Sequence, residues 1–84
     1  MTRSEKITEF QLIVGGAMRE HHPDIKFEFL ENVDRGEVSL LVEYGNSLHD
    51  LCTITYEGLD HCLTEEFKDK IRYSIKNTEF VKND

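Results

Sequence analysis

Three runs of alternating apolar and polar residues in the middle of the chain constrain its fold most. They cover residues 25–31, 37–44 and 50–57, and glycine-containing turns at 32–36 and 45–47 separate them. Because successive side chains of a β-strand point to opposite faces of a sheet, each run predicts a strand with one apolar and one polar side. Short connections favour antiparallel neighbours. We therefore expect a three-stranded antiparallel meander with a single apolar face.

A helix is predicted before the first run, over about residues 3–20. Thr2 and Glu5 have the spacing of a capping box at its start. Its apolar stripe consists of Ile7, Phe10, Val14, Ala17 and Met18. Gly15 and Gly16 lie inside it and cost roughly 1 kcal/mol each relative to alanine. Either they let the helix approach the sheet closely, which we favour because the apolar spacing continues past them, or the helix breaks there.

A second helix is predicted after the third run, over about residues 65–76, with Thr64 as its N-cap. Its apolar stripe consists of Leu63, Phe67, Ile71 and Ile75. We expect the tail, residues 78–84, to fray, although Phe80 could pack back against the core.

The predicted elements make one small α+β domain that spans residues 1–84, in the order helix, strand, strand, strand, helix. Because only one face of the sheet is apolar, both helices should pack on that face. The opposite face is then left to water or to a partner.

Acidic residues are concentrated in the part of the chain that contains the predicted strands. The net charge is −7, yet residues 27–67 hold ten acids and one base. Acids and bases cancel in residues 1–26, and residues 68–84 carry a net +2. We therefore expect the net negative charge to lie on the sheet and its loops.

The candidate binding surface is the polar sheet face with its adjoining loops. It comprises Glu28, Leu30, Glu31, Asp34, Glu37, Leu41, Glu43, Asp50, Glu57 and Asp60. Carboxylates two positions apart on a strand lie about 6.5–7 Å apart, and neighbouring strands lie about 5 Å apart. This is a fixed array of negative charge, sparser than a nucleic-acid duplex but of the same sign.

Such an array predicts a non-enzymatic module that binds a basic protein, steered by long-range attraction. The expected partner is a nucleic-acid-binding protein, and the expected action is inhibition by imitating the charge of DNA. Compact acidic inhibitors of this kind are common among virus-encoded proteins, which makes a viral origin an expectation by analogy of size and composition.

A different class of function stays open from the sequence. The chain could be an assembly module, a homodimer or adaptor, that pairs through apolar patches or strand edges. In that case the acidic face would serve solubility only.

Catalysis and metal binding are not expected, and no cofactor is predicted. His49, Cys52, His61 and Cys62 include the residue types of a zinc site, but the second pair is adjacent in sequence and Cys52 is predicted to point into the core. A nucleophilic cysteine needs positive surroundings, whereas both cysteines lie in the most acidic part of the chain.

The order of elements is similar to that of the double-stranded-RNA-binding domain. The resemblance implies phosphate-contacting lysines at the start of the last helix, where this chain has Thr64, Glu65 and Glu66. An acidic helix start repels the nucleic-acid backbone, so we expect no direct binding to RNA or DNA.

The sequence also predicts where the protein works. It contains no apolar run long enough to cross a bilayer and does not open with a secretory leader. We expect a soluble, cytoplasmic protein with no membrane contact, whose Cys52 and Cys62 are packed, reduced thiols.

Overall fold

The chain forms a three-stranded sheet with three helices on one of its faces in a computed structural model, which describes residues 1–80. The elements are α1 (Arg3–His21), β1 (Lys26–Asn32), β2 (Glu37–Tyr44), β3 (Ser47–Thr55), α2 (Tyr56–Cys62) and α3 (Glu65–Lys76). Both strand pairs are antiparallel and the spatial order is β1-β2-β3. The predicted α+β class, element order and meander are confirmed, with one additional short helix.

The core lies between the apolar face of the sheet and the helices. Its centre on the sheet is β2, where Val38, Leu40 and Val42 are almost completely buried. The helices supply the rest of this single buried cluster, namely Ile7, Phe10, Val14, Ala17, Met18, Leu59, Cys62 and Ile75. Because α1, α2 and α3 all contribute to one cluster with the same side of β2, they all pack on the same face.

Helix α1 begins with the predicted capping box. The Thr2 hydroxyl accepts a hydrogen bond from the Glu5 N–H at 3.2 Å, and the Glu5 carboxylate accepts one from the Thr2 N–H at 3.0 Å. These bonds to Thr2 hold the pKa of Glu5 below its ordinary value. The helix continues without a break through Gly15 and Gly16.

The two glycines of α1 occupy different environments. Gly15 is buried, and a Cβ added there would lie 3.5 Å from the ring of Phe27 in β1, which is ordinary van der Waals contact. Gly16 is exposed and a Cβ added there would meet nothing within 4 Å. Gly15 thus faces the side chain of Phe27 at ordinary contact distance, and neither position requires glycine.

The third strand and the segment after it differ from the prediction. The strand is predicted over 50–57 and the next helix over 65–76, whereas β3 ends at Thr55 and α2 begins at Tyr56. The Thr55 hydroxyl caps α2 by accepting from the Gly58 N–H at 3.1 Å. Leu59 and Cys62, one helical turn apart, fill the core from this helix.

A β-bulge interrupts β3. Leu40 lies opposite Cys52 and Leu41 lies opposite Asp50, so Leu51 is an extra residue without a partner on β2. The strand accordingly starts at Ser47, earlier than the predicted position 50, and its alternation reverses at the bulge.

Residues 78–80 contact the rest of the domain through two side chains. The Thr78 hydroxyl donates to the Ser74 carbonyl at 2.7 Å. Phe80 packs edge-on against His22 at 4.8 Å and Tyr44 at 5.4 Å between ring centroids, as the alternative expectation had it. Residues 81–84 of the predicted frayed tail lie outside the described part of the chain.

The glycines yield a stability prediction. Gly16→Ala should raise the free energy of unfolding by about 0.5–1 kcal/mol, because alanine has the higher helix propensity and the position is sterically open. Gly36→Ala should lower it by about 1–2 kcal/mol, because Gly36 has φ +65° and a Cβ there would lie 3.2 Å from the Tyr56 ring. Urea unfolding of both variants measures this, and a loss of stability in Gly16→Ala would contradict the account of α1.

Candidate protein-binding face

The sheet face opposite the helices, here called the open face, is not covered by any helix among residues 1–80. Alternation and strand register assign the residues that point outward on it. They are Lys26, Glu28, Leu30 and Asn32 of β1, Glu37, Ser39, Leu41 and Glu43 of β2, and Leu48, Asp50, Thr53 and Thr55 of β3.

Three leucines form a diagonal across the open face. Leu30 lies opposite Ser39, two residues from Leu41, so Leu30 and Leu41 are diagonal neighbours. Leu48 lies opposite Glu43, again two residues from Leu41, and is its diagonal neighbour on the other side. Leu30 and Leu48 are 56% and 55% exposed. We call these three residues the leucine stripe.

Carboxylates lie on both sides of the leucine stripe. Glu28 and Glu43 are on one side, and Asp50 and Glu37 are on the other. Glu28 and Asp50 are the direct cross-strand partners of Leu41, about 5 Å away, and Glu43 is two residues along β2, about 6.5–7 Å away, so the three carboxylates surround the middle leucine. These four residues are called the open-face carboxylates.

The open-face carboxylates differ from five of the acidic side chains of the helices in how their charge is balanced. None of the four forms a salt bridge with another residue of 1–80. On the helices, salt bridges join Asp60 to Lys6 at 2.6 Å, Asp69 to Arg72 at 3.1 Å, Glu65 and Glu9 to Lys68 at 3.4 and 3.8 Å, and Glu66 to Lys70 at 3.4 Å. Four carboxylates without a salt bridge therefore face outward from the sheet.

The bulge in β3 orders one of these carboxylates. In a regular strand Asp50 and Thr53 would point to opposite faces, but the extra residue Leu51 places both on the open face. The Thr53 hydroxyl donates to Asp50 at 2.8 Å, and the Ser39 and Thr53 hydroxyl oxygens are 2.8 Å apart, within hydrogen-bonding distance. A chain of polar contacts between β2 and β3 thus fixes the direction of the Asp50 carboxylate.

Six of the ten residues predicted for the binding surface lie on the open face. They are Glu28, Leu30, Glu37, Leu41, Glu43 and Asp50. Leu48 and Lys26 also lie there and were missed. Leu48 lies outside the predicted strand 50–57 because the bulge hides the start of β3. Lys26 is the only cation that the three described strands place on this face, and its alternation with Phe27 would have revealed it.

The other four predicted residues lie elsewhere. Glu31 points to the helix side of β1, where its carboxylate accepts a hydrogen bond from the Tyr56 hydroxyl. Asp34 lies in the β1–β2 turn. Glu57 and Asp60 belong to α2 because the third strand ends at Thr55, and the Asp60 carboxylate is paired with a lysine of α1.

The contact between Tyr56 and Glu31, near the C-terminal end of β1, changes the pKa of the Tyr56 hydroxyl. The hydrogen bond to Glu31 raises the pKa of Tyr56, and partial desolvation and the charge of Glu31 add to the effect. Arg3 lies over the Tyr56 ring at 4.5 Å from its centroid and opposes the shift. Through Tyr56, this end of β1 contacts α2 and α1 on the helix side of the sheet, not on the open face.

The residue types that suggested a zinc site are spread over the helix side of the molecule. His49 stacks on Tyr44 at 4.1 Å and His61 packs against Phe67 at 4.7 Å between ring centroids, while Cys62 is buried. Within residues 1–80, no three side chains of His, Cys, Asp or Glu are grouped so that they could hold a metal ion.

Cys52 is exposed, in contrast to the prediction that it is packed in the core. It points to the helix side, opposite Leu40, but α3 does not cover it fully and leaves an apolar groove of about 340 Å³ beside β3. Phe67, Ile71 and Ile75 of α3 form the far wall of this groove.

Comparison with protein-family models, with curated proteins and with solved structures found no significant match to this chain. None of the helices described over residues 1–80 combines the length and apolar character needed to cross a bilayer.

The two thiols should react differently. Partial burial and the charge of Asp50 raise the pKa of Cys52, and burial raises that of Cys62. Since the thiolate is the nucleophile, iodoacetamide at neutral pH should modify Cys52 more slowly than a free cysteine, and Cys62 only after unfolding. Mass spectrometry of peptides over time measures both rates. Equal labelling of the two residues in the folded protein would contradict the described burial.

Proposed function

We propose that this chain is a non-enzymatic module that binds a basic protein through its open face. The observation that carries the proposal is the combination of the leucine stripe with four carboxylates that form no salt bridge among residues 1–80. An apolar strip on a surface is a source of binding energy, and the surrounding charge selects which surfaces approach it.

The two components contribute differently. Covering an exposed leucine contributes on the order of 1–2 kcal/mol, whereas an exposed ion pair contributes about 0.2–1 kcal/mol. The leucines would therefore supply most of the affinity. The carboxylates would accelerate association with cationic surfaces and disfavour neutral or acidic ones.

The expected partner is a nucleic-acid-binding protein, and the expected action is inhibition. A surface that attracts nucleic acid is cationic, and a stiff array of carboxylates on a sheet competes for it by charge. The hydrogen bond from Thr53 to Asp50 supports this action, since an ordered carboxylate loses little freedom on binding. Occupation of the site by this chain would then exclude DNA or RNA.

A second candidate function is assembly through a strand edge. The order β1-β2-β3 leaves one edge on β1 and one on β3. The bulge at Leu51 disfavours further pairing along β3, whereas β1 pairs regularly over its whole length, from Lys26 to Asn32. A homodimer through β1 is therefore the specific alternative. Sedimentation separates the two, because such a dimer would persist at high salt and the proposed module would be a monomer.

Charge reversal on the open face tests the proposal. Purified basic DNA-binding proteins are titrated with the wild-type chain and with the double variant Glu37→Lys, Glu43→Lys. We expect binding that weakens steeply with salt, competition by duplex DNA, and a loss of at least about tenfold in affinity for the double variant.

A matched control has the same change in net charge on the helix side. In Glu20→Lys, Glu66→Lys both positions are exposed and lie on α1 and α3. This control should retain affinity within about twofold, with thermal unfolding used to confirm that both double variants fold. If both variants lose affinity equally, net charge alone explains the binding and the open face is not the site.

A further inference from the structure

We infer that the partner segment that lies on the open face is a short amphipathic α-helix with lysines or arginines on both sides of an apolar stripe. The inference rests on the proposed function and adds the shape and chemistry of the bound segment. It follows from the geometry of the leucine stripe, from the distribution of carboxylates around it, and from the pairing of the strands beneath it.

The leucine stripe has the length of a short helix. Two diagonal steps of about 7–8 Å separate Leu30 from Leu48, with Leu41 between them, so the stripe is about 15 Å long. At a rise of 1.5 Å per residue this corresponds to about ten helical residues, or close to three turns. A helix of this length presents one apolar side chain per turn along a single line.

The charges on the open face complement a helix whose cations flank its apolar stripe. Glu28 and Glu43 lie on one side of the leucine stripe, where Lys26 leaves a net charge of −1, and Asp50 and Glu37 lie on the other, with a net charge of −2. An apolar helical stripe bordered by Lys or Arg on both sides would meet leucines at its centre and carboxylates at both margins. Two copies of this chain do not fit open face to open face, because both faces carry the same negative charges.

Backbone hydrogen bonding favours a helix over an extended segment. Strand β2, in the middle of the open face, is already paired with both of its neighbours. A segment lying on this face therefore contacts side chains only and must satisfy its own backbone groups once water is removed. A helix satisfies them internally, whereas an extended peptide would need one of the sheet edges.

The helices of this chain are an example of apolar helical side chains packing on a face of this sheet. On the covered face, α1 places apolar side chains such as Phe10 and Val14 over the buried side of β2. The partner helix would pack on the opposite side of the same three strands, over leucines that are partly exposed in the free chain. The sheet would then be covered on both faces, as in a three-layer arrangement.

Two synthetic peptides of equal length and composition test the inference. Each has about fourteen residues of leucine and lysine; in one the leucines recur every three or four positions, and in the other they alternate with lysine and favour a strand. Fluorescence anisotropy is measured with the full chain, at concentrations at which the labelled peptides are monomeric. We expect the helical-pattern peptide to bind at least about tenfold more tightly, and to gain helical circular dichroism on binding.

Two variants with matched chemistry locate the contact. Leu41→Ser removes the middle of the leucine stripe and should weaken binding of the helical-pattern peptide by about fivefold or more. Leu12→Ser removes an exposed leucine of α1 on the helix side and should leave binding unchanged.

The possible failures are distinguishable. Equal binding of the two peptides, or tighter binding of the alternating peptide, would overturn the helical inference. The proposed function would survive that result if the affinity still fell on reversing Glu37 and Glu43. Binding of the helical-pattern peptide that is unaffected by both Leu41→Ser and the charge reversal would overturn the helical inference and the proposed function together.

Discussion

The structure depends on the difference between the two sides of β2. Val38, Leu40 and Val42 on one side are almost completely buried, and each such burial stabilises the fold by roughly 1.5–3 kcal/mol. In a domain of this size that is a large share of the total stability. All three helices therefore pack over this side, and none among the described residues is left for the other. The open face is a direct consequence of having a sheet with one apolar side.

The arrangement of charge adds to this asymmetry. On the helices, acids and bases are close enough to balance each other locally, as in the pair between Lys6 and Asp60. Exposed pairs of this kind contribute little to stability, but they cancel the field on their side of the molecule. The open-face carboxylates form no such salt bridge among residues 1–80, so the open face carries net negative charge. A cationic partner would therefore be oriented toward the open face before contact.

Much of the fold could be predicted from the sequence because the apolar residues of the central strand and the last helix recur with regular strand and helix spacing. Strand β2 and helix α3 have the predicted bounds, 37–44 and 65–76. Strand β3 and helix α2 could not be predicted in full, because the extra residue Leu51 reverses the alternation and Thr55 can end a strand or cap a helix equally well. The bulge and the early end of β3 also decide which of the predicted site residues lie on the open face. The bulge brings Asp50 and Leu48 onto the open face, and the early end of β3 removes Glu57 and Asp60 from it.

The side of β1 on which Glu31 lies could have been predicted from the sequence. It has the same parity as Phe27 and Phe29, so alternation alone assigns it to the helix side of β1. The salt bridges inside α3 follow from residue spacing of three or four along a helix and could also be predicted. The Lys6–Asp60 and Glu9–Lys68 salt bridges could not, since they depend on how α1 packs against α2 and α3.

The leucines of this chain provide the most direct measurement of its central claim, which is that a basic partner docks on the open face. Leu30, Leu41 and Leu48 report on that face, while Leu12 and Leu63 report on the helix side. In a nuclear magnetic resonance titration of leucine-methyl-labelled protein with a lysine-rich peptide, the account predicts progressive shifts of the first three residues and unchanged signals from the other two. Shifts concentrated on Leu12 and Leu63, with the open-face leucines unaffected, would contradict it.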